Sequence, residues 1–312
     1  WVDAAARSQR GKPSGIIPSA IHWPDGAIGG LGPDWWDPRN HGEYTLYLFP
    51  SAMDLMTHTL LLTHHMTGND KYLRPIRSMA AARLRYLENP GGNLAPGSER
   101  WCASKLGDLS SVIAKYKFIT GKSDFDRLFD REMSPYMRFR LRGENKPLLS
   151  ALEQTAQSMR INFEGYTSEV RYTDRVLRFP TLFGPGVLSE PTRPIYTPNT
   201  SLLYSTATGD PGSALYFPLN AIRWLTPPRN IAALVTNSGP DTFEAQLFHF
   251  GQNPRPMSAE LYLLHPGKYQ MTLVTRPANN IATEQIKVTN PGTTIEFALP
   301  PQELCPLTLH QE

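Results

Sequence analysis

The sequence has little cysteine, no long hydrophobic run and little net charge. Of its 312 residues only Cys102 and Cys305 are cysteines, and two isolated thiols provide neither a disulfide framework nor the spacing of a metal site. No apolar run approaches the roughly 20 residues that cross a bilayer. A net charge of +3 without a dense Lys/Arg run argues against nucleic acid and membrane partners. We expect no resident metal and no cofactor.

The chain is long enough for two domains and, at 40% hydrophobic residues, for a sizeable core. Residues 1–7 have the composition of the middle of a helix, with neither an initiator Met nor a signal-peptide pattern. We therefore expect the chain to be a fragment, or the mature C-terminal part of a longer protein, with a missing N-terminal portion as its partner.

The first half has the apolar periodicity of helices joined in pairs. Two junctions align, since Thr67-Gly68 and Thr120-Gly121 lie 53 residues apart and each ends an apolar segment. Glycine suits the left-handed position that follows a helix, and a repeated helical hairpin is typical of a toroid of inner and outer helices. The predicted helices are Tyr44–Met66, Lys71–Tyr86, Glu99–Ile119, one that begins at Asp124, and Lys146–Ile161.

The last third changes to short segments rich in β-formers, separated by turns such as Asn237-Ser238-Gly239-Pro240. Seven strands at this spacing predict an antiparallel β-sandwich. The expected fold is therefore α+β and multidomain: a partial α/α toroid of helical hairpins over 1–228, followed by a β-sandwich over 229–312. The predicted strands are Ile231–Thr236, Thr242–Phe250, Ala259–His265, Lys268–Thr275, Ala282–Val288, Thr293–Leu299 and Leu304–His310.

The segment from Ala20 to Tyr47 holds half of the six tryptophans among acids, histidines, Gly and Pro. An irregular segment of this length is usually functional or disordered. Exposed aromatic faces beside carboxylates suit a sugar, whose apolar faces stack on rings while its hydroxyls are held by polar groups. Two interpretations stay open, because the same tryptophans can instead plug the core. The aromatic candidates are Trp23, Trp35 and Trp36.

Helical hairpins followed by a β-sandwich, with this aromatic loop and the Thr-Gly junctions, resemble carbohydrate-active enzymes of the α/α-toroid type, both glycoside hydrolases and polysaccharide lyases. The resemblance assigns no particular family. It implies a cleft at one end of the toroid, lined by the loops that precede the inner helices, and a polysaccharide or oligosaccharide as partner. A secreted or periplasmic location follows from the same expectation.

Glycoside hydrolysis needs two carboxyl groups, about 5–5.5 Å apart in retaining and about 6.5–9.5 Å apart in inverting enzymes. Each candidate also has a structural explanation, because Asp25 suits a turn, Asp37 precedes Pro38, and Glu43 lies where a helix dipole stabilises an acid. The candidate catalytic residues are Asp25, Asp37, Glu43, Glu169 and Asp174.

A lyase instead needs a His or Tyr base, with cationic groups that neutralise a uronate carboxylate. Residues 166–175 hold two tyrosines, two acids and two arginines, and arginine grips a carboxylate with two hydrogen bonds. The same acids and arginines can also form ordinary ion pairs. The candidate substrate-binding residues beside the tryptophans are His41, Tyr44, Tyr47, Tyr166, Arg171, Tyr172 and Arg175.

A polar stripe of Asp54, His58 and His65 follows one face of the long first helix. Such histidines line a cleft or form hydrogen bonds within a core, and the sequence does not decide between the two. Three functions remain: a glycoside hydrolase with a carboxylate pair, a polysaccharide lyase acting on a uronate-containing glycan, and a non-catalytic carbohydrate-binding or structural module.

Overall fold

The computed structural model describes residues 1–29, 33–36, 51–92, 94–107, 109–161, 198–212, 216–276 and 280–312. These residues form two compact units. The first comprises Trp1–Ser134 with Asp210–Leu219, and the second comprises Pro135–Gly209 with Asn220–Glu312. The division at 228/229 stays a prediction.

The first unit is helical in its described part, and its core is formed by apolar side chains at helical spacing. The helices are α1 (Val2–Ala6), α2 (Ser51–Thr67), α3 (Arg74–Glu88), α4 (Glu99–Lys105), α5 (Leu109–Thr120) and α6 (Phe129–Glu132). Leu61, Ile76, Cys102, Val112 and Phe129 are at most 1% exposed, so each helix from α2 to α6 contributes apolar side chains to the core.

The two predicted junctions have the same local structure. Gly68 and Gly121 adopt φ of 66° and 67°, in the left-handed region that favours glycine. The Thr67 hydroxyl donates to the Thr63 carbonyl at 2.7 Å and accepts from the amide of Asn69 at 3.3 Å. The Thr120 hydroxyl makes the equivalent contacts. The helical-hairpin repeat read from Thr-Gly is therefore a real structural repeat at these two positions.

One predicted helix is two helices. The segment expected to run from Glu99 to Ile119 stops at Lys105 and restarts at Leu109. The nearly buried Arg83 guanidinium donates to the carbonyls of Ala103 and Ser104, at 2.8 and 3.0 Å. A side chain from α3 therefore satisfies carbonyls at the end of α4, and this long-range contact is invisible to local periodicity.

The second unit combines helices with two antiparallel sheets, and the predicted order of helices followed by a β-sandwich is confirmed. The elements are α7 (Pro135–Arg142), α8 (Asn145–Ile161), α9 (Thr200–Thr208), β1 (Ile222–Trp224), β2 (Ile231–Ser238), β3 (Thr242–His249), β4 (Arg255–Leu261), β5 (Gly267–Val274), β6 (Ile281–Val288), β7 (Thr293–Leu299) and β8 (Leu304–Gln311). The strand order is β1-β4-β7 in one sheet and β2-β3-β8-β5-β6 in the other. Closure of the helices into a toroid stays a prediction.

Alternation along the strands produces the sandwich core. In β3, Phe243, Ala245 and Leu247 point inward and are at most 2% exposed. Leu307 and Leu309 on the neighbouring β8 repeat the pattern, in register with Ala245 and Phe243. Successive strand residues face opposite sides of a sheet, so this period places one apolar face on the shared core.

The predicted strand Ala259–His265 was displaced, because the strand runs from Arg255 to Leu261. Pro256, which precedes the predicted strand, pairs with β7 on one side, whereas β1 reaches only Ala259–Leu261 on the other. A residue without an amide hydrogen is tolerated at such a strand edge.

Two helices of the second unit are tied to its sheets by polar contacts. The Tyr136 hydroxyl of α7 donates to the carbonyl of Val235 at 2.9 Å, and the Trp224 indole donates to Ala207 of α9 at 2.7 Å. Gly209, with φ of 79°, ends α9 where an added Cβ would lie 2.9 Å from that of Ala221.

Each unit contains one buried cysteine. Burial raises the pKa of the Cys102 thiol to about 12 and that of Cys305 to about 11. A protonated thiol is a poor nucleophile, so both side chains act as small apolar groups in their cores. Within the described residues, no helix is both long and apolar enough to cross a bilayer.

Candidate functional site

Four of the predicted site residues fall within the described part of the chain: Trp23, Asp25, Trp35 and Trp36. The others lie outside the described residues, so the idea that the two predicted segments share a cleft stays a prediction. Those residues are Asp37, His41, Glu43, Tyr44, Tyr47, Tyr166, Glu169, Arg171, Tyr172, Asp174 and Arg175.

Trp23 and Asp25 occupy the tip of a small hairpin whose arms pair at Ile21 and Ile28. The Trp23 side chain is 88% exposed. The Asp25 carboxylate accepts from the amide of Ala27 at 3.0 Å and lies 2.9 Å from His22 Nδ1. These hydrogen bonds, led by that of Ala27, lower the pKa of Asp25. The tip therefore presents a bare aromatic ring beside a fixed, ionised acid.

Trp35 and Trp36 differ from Trp23 in their surroundings. Trp35 is 2% exposed, and its carbonyl accepts from the Ser19 hydroxyl at 2.5 Å. The Trp36 ring lies against that of Trp101 in α4, with centroids 5.3 Å apart. For Trp35 the structure favours the core-plug interpretation, whereas half-buried Trp36 connects the loop to α4.

His58 on α2 is held in one orientation. Its Nδ1 lies 2.8 Å from the main-chain carbonyl of Asp54 and 3.2 Å from Asp54 Oδ1. A carbonyl oxygen only accepts, so Nδ1 carries the hydrogen and Nε2 of the neutral ring presents its lone pair. The ring stacks on Tyr216 at 4.5 Å between centroids. Nε2 is buried and has no hydrogen-bond partner within the described part of the chain.

Lys115 on α5 forms a fully buried ion pair with Asp210. Nζ lies 3.8 Å from Asp210 Oδ2, and both side chains are 0% exposed. Lys115 also donates to the carbonyl of Phe217, and Asp210 accepts from the amides of Gly212 and Leu219 at 2.9 and 2.5 Å. Burial lowers the pKa of Lys115 and raises that of Asp210, and each charge opposes the other's shift.

We call Asp54, His58, Lys115 and Asp210 the buried charge cluster. The Asp54 charge favours protonated Lys115. A base oriented by a second group and bearing an unused lone pair has the arrangement of a proton acceptor. Among the described residues, no three His, Cys, Asp or Glu side chains converge in a way that could hold a metal ion.

The sequence pattern pointed to Asp54 and His58 but missed Lys115, Asp210 and Tyr216. Lys115 lies in an apolar helical run, Val112-Ile113-Ala114-Lys115-Tyr116, and a lysine in such a run is the one signal that was available. Lysine is rarely buried without a partner. The sequence position of Lys115 therefore predicts that an acid from elsewhere in the chain pairs with it, but it does not identify that acid.

No protein-family model and no curated protein matches this chain. Solved structures with partial similarity include CelM2, a bifunctional glucanase-xylanase from a metagenome library (17% identity, TM-score 0.21, 28% of this chain and 17% of that one). A Paenibacillus polymyxa xyloglucanase of glycoside hydrolase family 44 is similar at 12% identity and TM-score 0.21, over 28% and 18% of the chains. An endoxylanase of family 30 from Clostridium papyrosolvens has 14% identity and TM-score 0.22, over 29% and 24%.

The chain thus spans less than a quarter of the length of these glycoside hydrolases. At TM-scores near 0.2, the similarity carries no argument about activity.

Proposed function

We propose that this protein is a carbohydrate-active enzyme that cleaves a polysaccharide or oligosaccharide. The observation that carries the proposal is the hairpin tip, where the Trp23 ring is 88% exposed beside the fixed carboxylate of Asp25. Leaving an indole in water is unfavourable, and the ring face matches the apolar face of a pyranose. The adjacent carboxylate accepts hydrogen bonds from sugar hydroxyls. Because polysaccharides do not cross membranes unaided, the proposed location is secreted or periplasmic.

The proposed chemistry is hydrolysis by a carboxylate pair. Asp25 is ionised because the Ala27 amide and His22 stabilise its charge, which lowers its pKa. An ionised carboxylate suits the base or nucleophile of glycoside hydrolysis, and the acid must then be a second carboxyl group with a raised pKa. The candidates for that second group remain Asp37, Glu43, Glu169 and Asp174. Substrate contacts are proposed from Trp36, His41, Tyr44, Tyr47, Tyr166, Arg171, Tyr172 and Arg175.

Replacing Trp23 with alanine should weaken the binding of an oligosaccharide about three- to tenfold, the range expected for one stacked ring. The melting temperature should not change, because the side chain buries little surface. Titration calorimetry with a panel of plant and bacterial oligosaccharides measures the first quantity. Trp1→Ala is the matched control, since Trp1 is also exposed, at 43%. Unchanged affinity in Trp23→Ala would remove the hairpin tip from the proposed site.

A polysaccharide lyase is the second candidate, and the composition of residues 166–175, with two tyrosines and two arginines, favours it. Elimination needs a base that abstracts the C5 proton of a uronate and cations that neutralise its carboxylate, which Tyr166, Arg171 and Arg175 could supply. The products distinguish the reactions: elimination forms an unsaturated uronate that absorbs in the ultraviolet because its C=C bond is conjugated with the carboxylate, whereas hydrolysis releases only reducing ends. Binding without either product would identify a non-catalytic carbohydrate module.

A further inference from the structure

A cleft in the first unit lies between α3 and α4, apart from the hairpin tip and the buried charge cluster. Its volume is about 250 Å³. Two alanines supply its small apolar surfaces, and the remaining lining side chains are aromatic or charged. We call it the arginine cleft, and its lining consists of Ala82, Arg85, Tyr86, Glu99, Arg100 and Ala103.

Arg100 is held in place at the cleft. It donates to the carbonyl of Asn89, and a Cβ added to Gly92 would lie 3.2 Å from both its Cζ and its Nε. Among the residues that the structure describes, its buried Nε has no hydrogen-bond partner. A guanidinium that the neighbouring backbone holds in one orientation can donate its remaining terminal N–H groups to an anion.

Arg85 forms an ion pair with Glu99 of the same cleft, and this carboxylate competes with any bound anion for the Arg85 guanidinium. Its guanidinium donates to Glu99 Oε1 at 2.5 Å, and the two side chains are more than half exposed. On the Tyr86 ring, the centroid lies 5.5 Å from the guanidinium of nearly buried Arg83. The cleft lining itself contains two guanidinium groups and one carboxylate, so it carries an excess of one positive charge.

We infer that the arginine cleft binds the carboxylate of an acidic sugar unit within the glycan chain. The Tyr86 ring supplies a face for the pyranose, and Arg85 and Arg100 supply donors that match a planar carboxylate. The inference rests on the proposed function and specifies its substrate class. Trp36 supports a link to the aromatic loop, because it packs on Trp101 of the same helix α4 that contributes Glu99 and Arg100.

Calorimetry with an oligogalacturonate and its carboxyl-reduced, neutral counterpart tests the inference. We expect the wild type to bind the acidic ligand at least tenfold more tightly, as is reasonable for hydrogen bonds to a charged group. Arg100→Gln should lower the affinity for the acidic ligand about tenfold and leave that for the neutral one unchanged. Glu99→Gln should raise the affinity for the acidic ligand, because it removes a negative charge and releases Arg85.

Arg127→Gln is the matched control, since Arg127 is 71% exposed and pairs with Glu88 at 2.6 Å outside the cleft lining. It makes the same charge change as Arg100→Gln and should alter neither affinity. Misfolding can lower affinity but does not raise it, so the gain in Glu99→Gln is the decisive result. Equal binding of both ligands by the wild type would overturn the acidic-sugar inference and leave the proposed function standing. Binding of neither, together with no binding across the wider panel, would overturn both.

Discussion

Replacing Asp210 with alanine is expected to destabilise the protein by about 3–5 kcal/mol, the cost of leaving a buried charge uncompensated. Lys115 would lose its carboxylate partner at a position where both side chains are 0% exposed. The amides of Gly212 and Leu219 would lose their acceptor in the same step. Urea unfolding at pH 7 measures the loss as a lower midpoint at unchanged slope.

The control is Asp126→Ala, which removes the acid of the exposed Lys117–Asp126 pair and should cost less than about 1 kcal/mol. Combining Lys115→Met with Asp210→Asn tests the mechanism. The double variant keeps an acceptor for a main-chain amide and removes both charges, so it should recover much of the loss. If the double variant is as unstable as Asp210→Ala, the loss of stability comes from the hydrogen bonds of the Asp210 carboxylate to main-chain amides and not from the ion pair.

The second large effect is expected at Gly97, where Gly97→Ala should cost about 2–5 kcal/mol. Its φ is 81°, and an added Cβ would lie 2.5 Å from Trp36 Cδ1 and 3.1 Å from Trp35 Nε1. Left-handed backbone costs about 1–2 kcal/mol for a non-glycine residue, and overpacking adds about 1–3 kcal/mol. Thermal unfolding measures the sum, and near-ultraviolet circular dichroism reports the displaced indoles.

Gly121→Ala separates the two contributions. Gly121 has φ of 67° and no atom within 4 Å of the added Cβ, so this variant carries only the backbone cost. Equal losses of stability in Gly97→Ala and Gly121→Ala would show that the tryptophan side chains move aside without an energetic cost. A larger loss at Gly97, with an altered aromatic spectrum, would show that this glycine positions Trp36 against α4.

Local patterns predicted the parts of the fold that local chemistry determines. The Thr-Gly junctions correctly predicted the ends of two helices, because the positive φ of the glycine depends only on a few adjacent residues. Segments rich in β-formers between turn residues located β3 and β8 for the same reason. The break between Lys105 and Leu109 and the N-terminal shift of β4 escaped prediction because each depends on a distant element, Arg83 in one case and pairing with β7 in the other.

The candidate site was less predictable than the fold. Composition marked the tryptophans as a group, but burial separates exposed Trp23 from Trp35, and no local signal distinguishes two indoles in one loop. Lys115 and Asp210 meet only after the chain has folded over 95 residues of separation. The arginine cleft likewise combines Arg85 and Arg100 from two helices, which looked like ordinary surface charges in the sequence.

The two buried cysteines can report separately when each unit unfolds. One lies in each compact unit, both are fully buried, and a thiol reagent reaches either only after its own surroundings open. Brief pulses of reagent along a denaturant series, followed by peptide mass analysis, would therefore record the opening of the first unit at Cys102 and of the second at Cys305. Coincident labelling curves would show one cooperative transition, and separated curves would show that the helical unit and the sandwich unit melt independently.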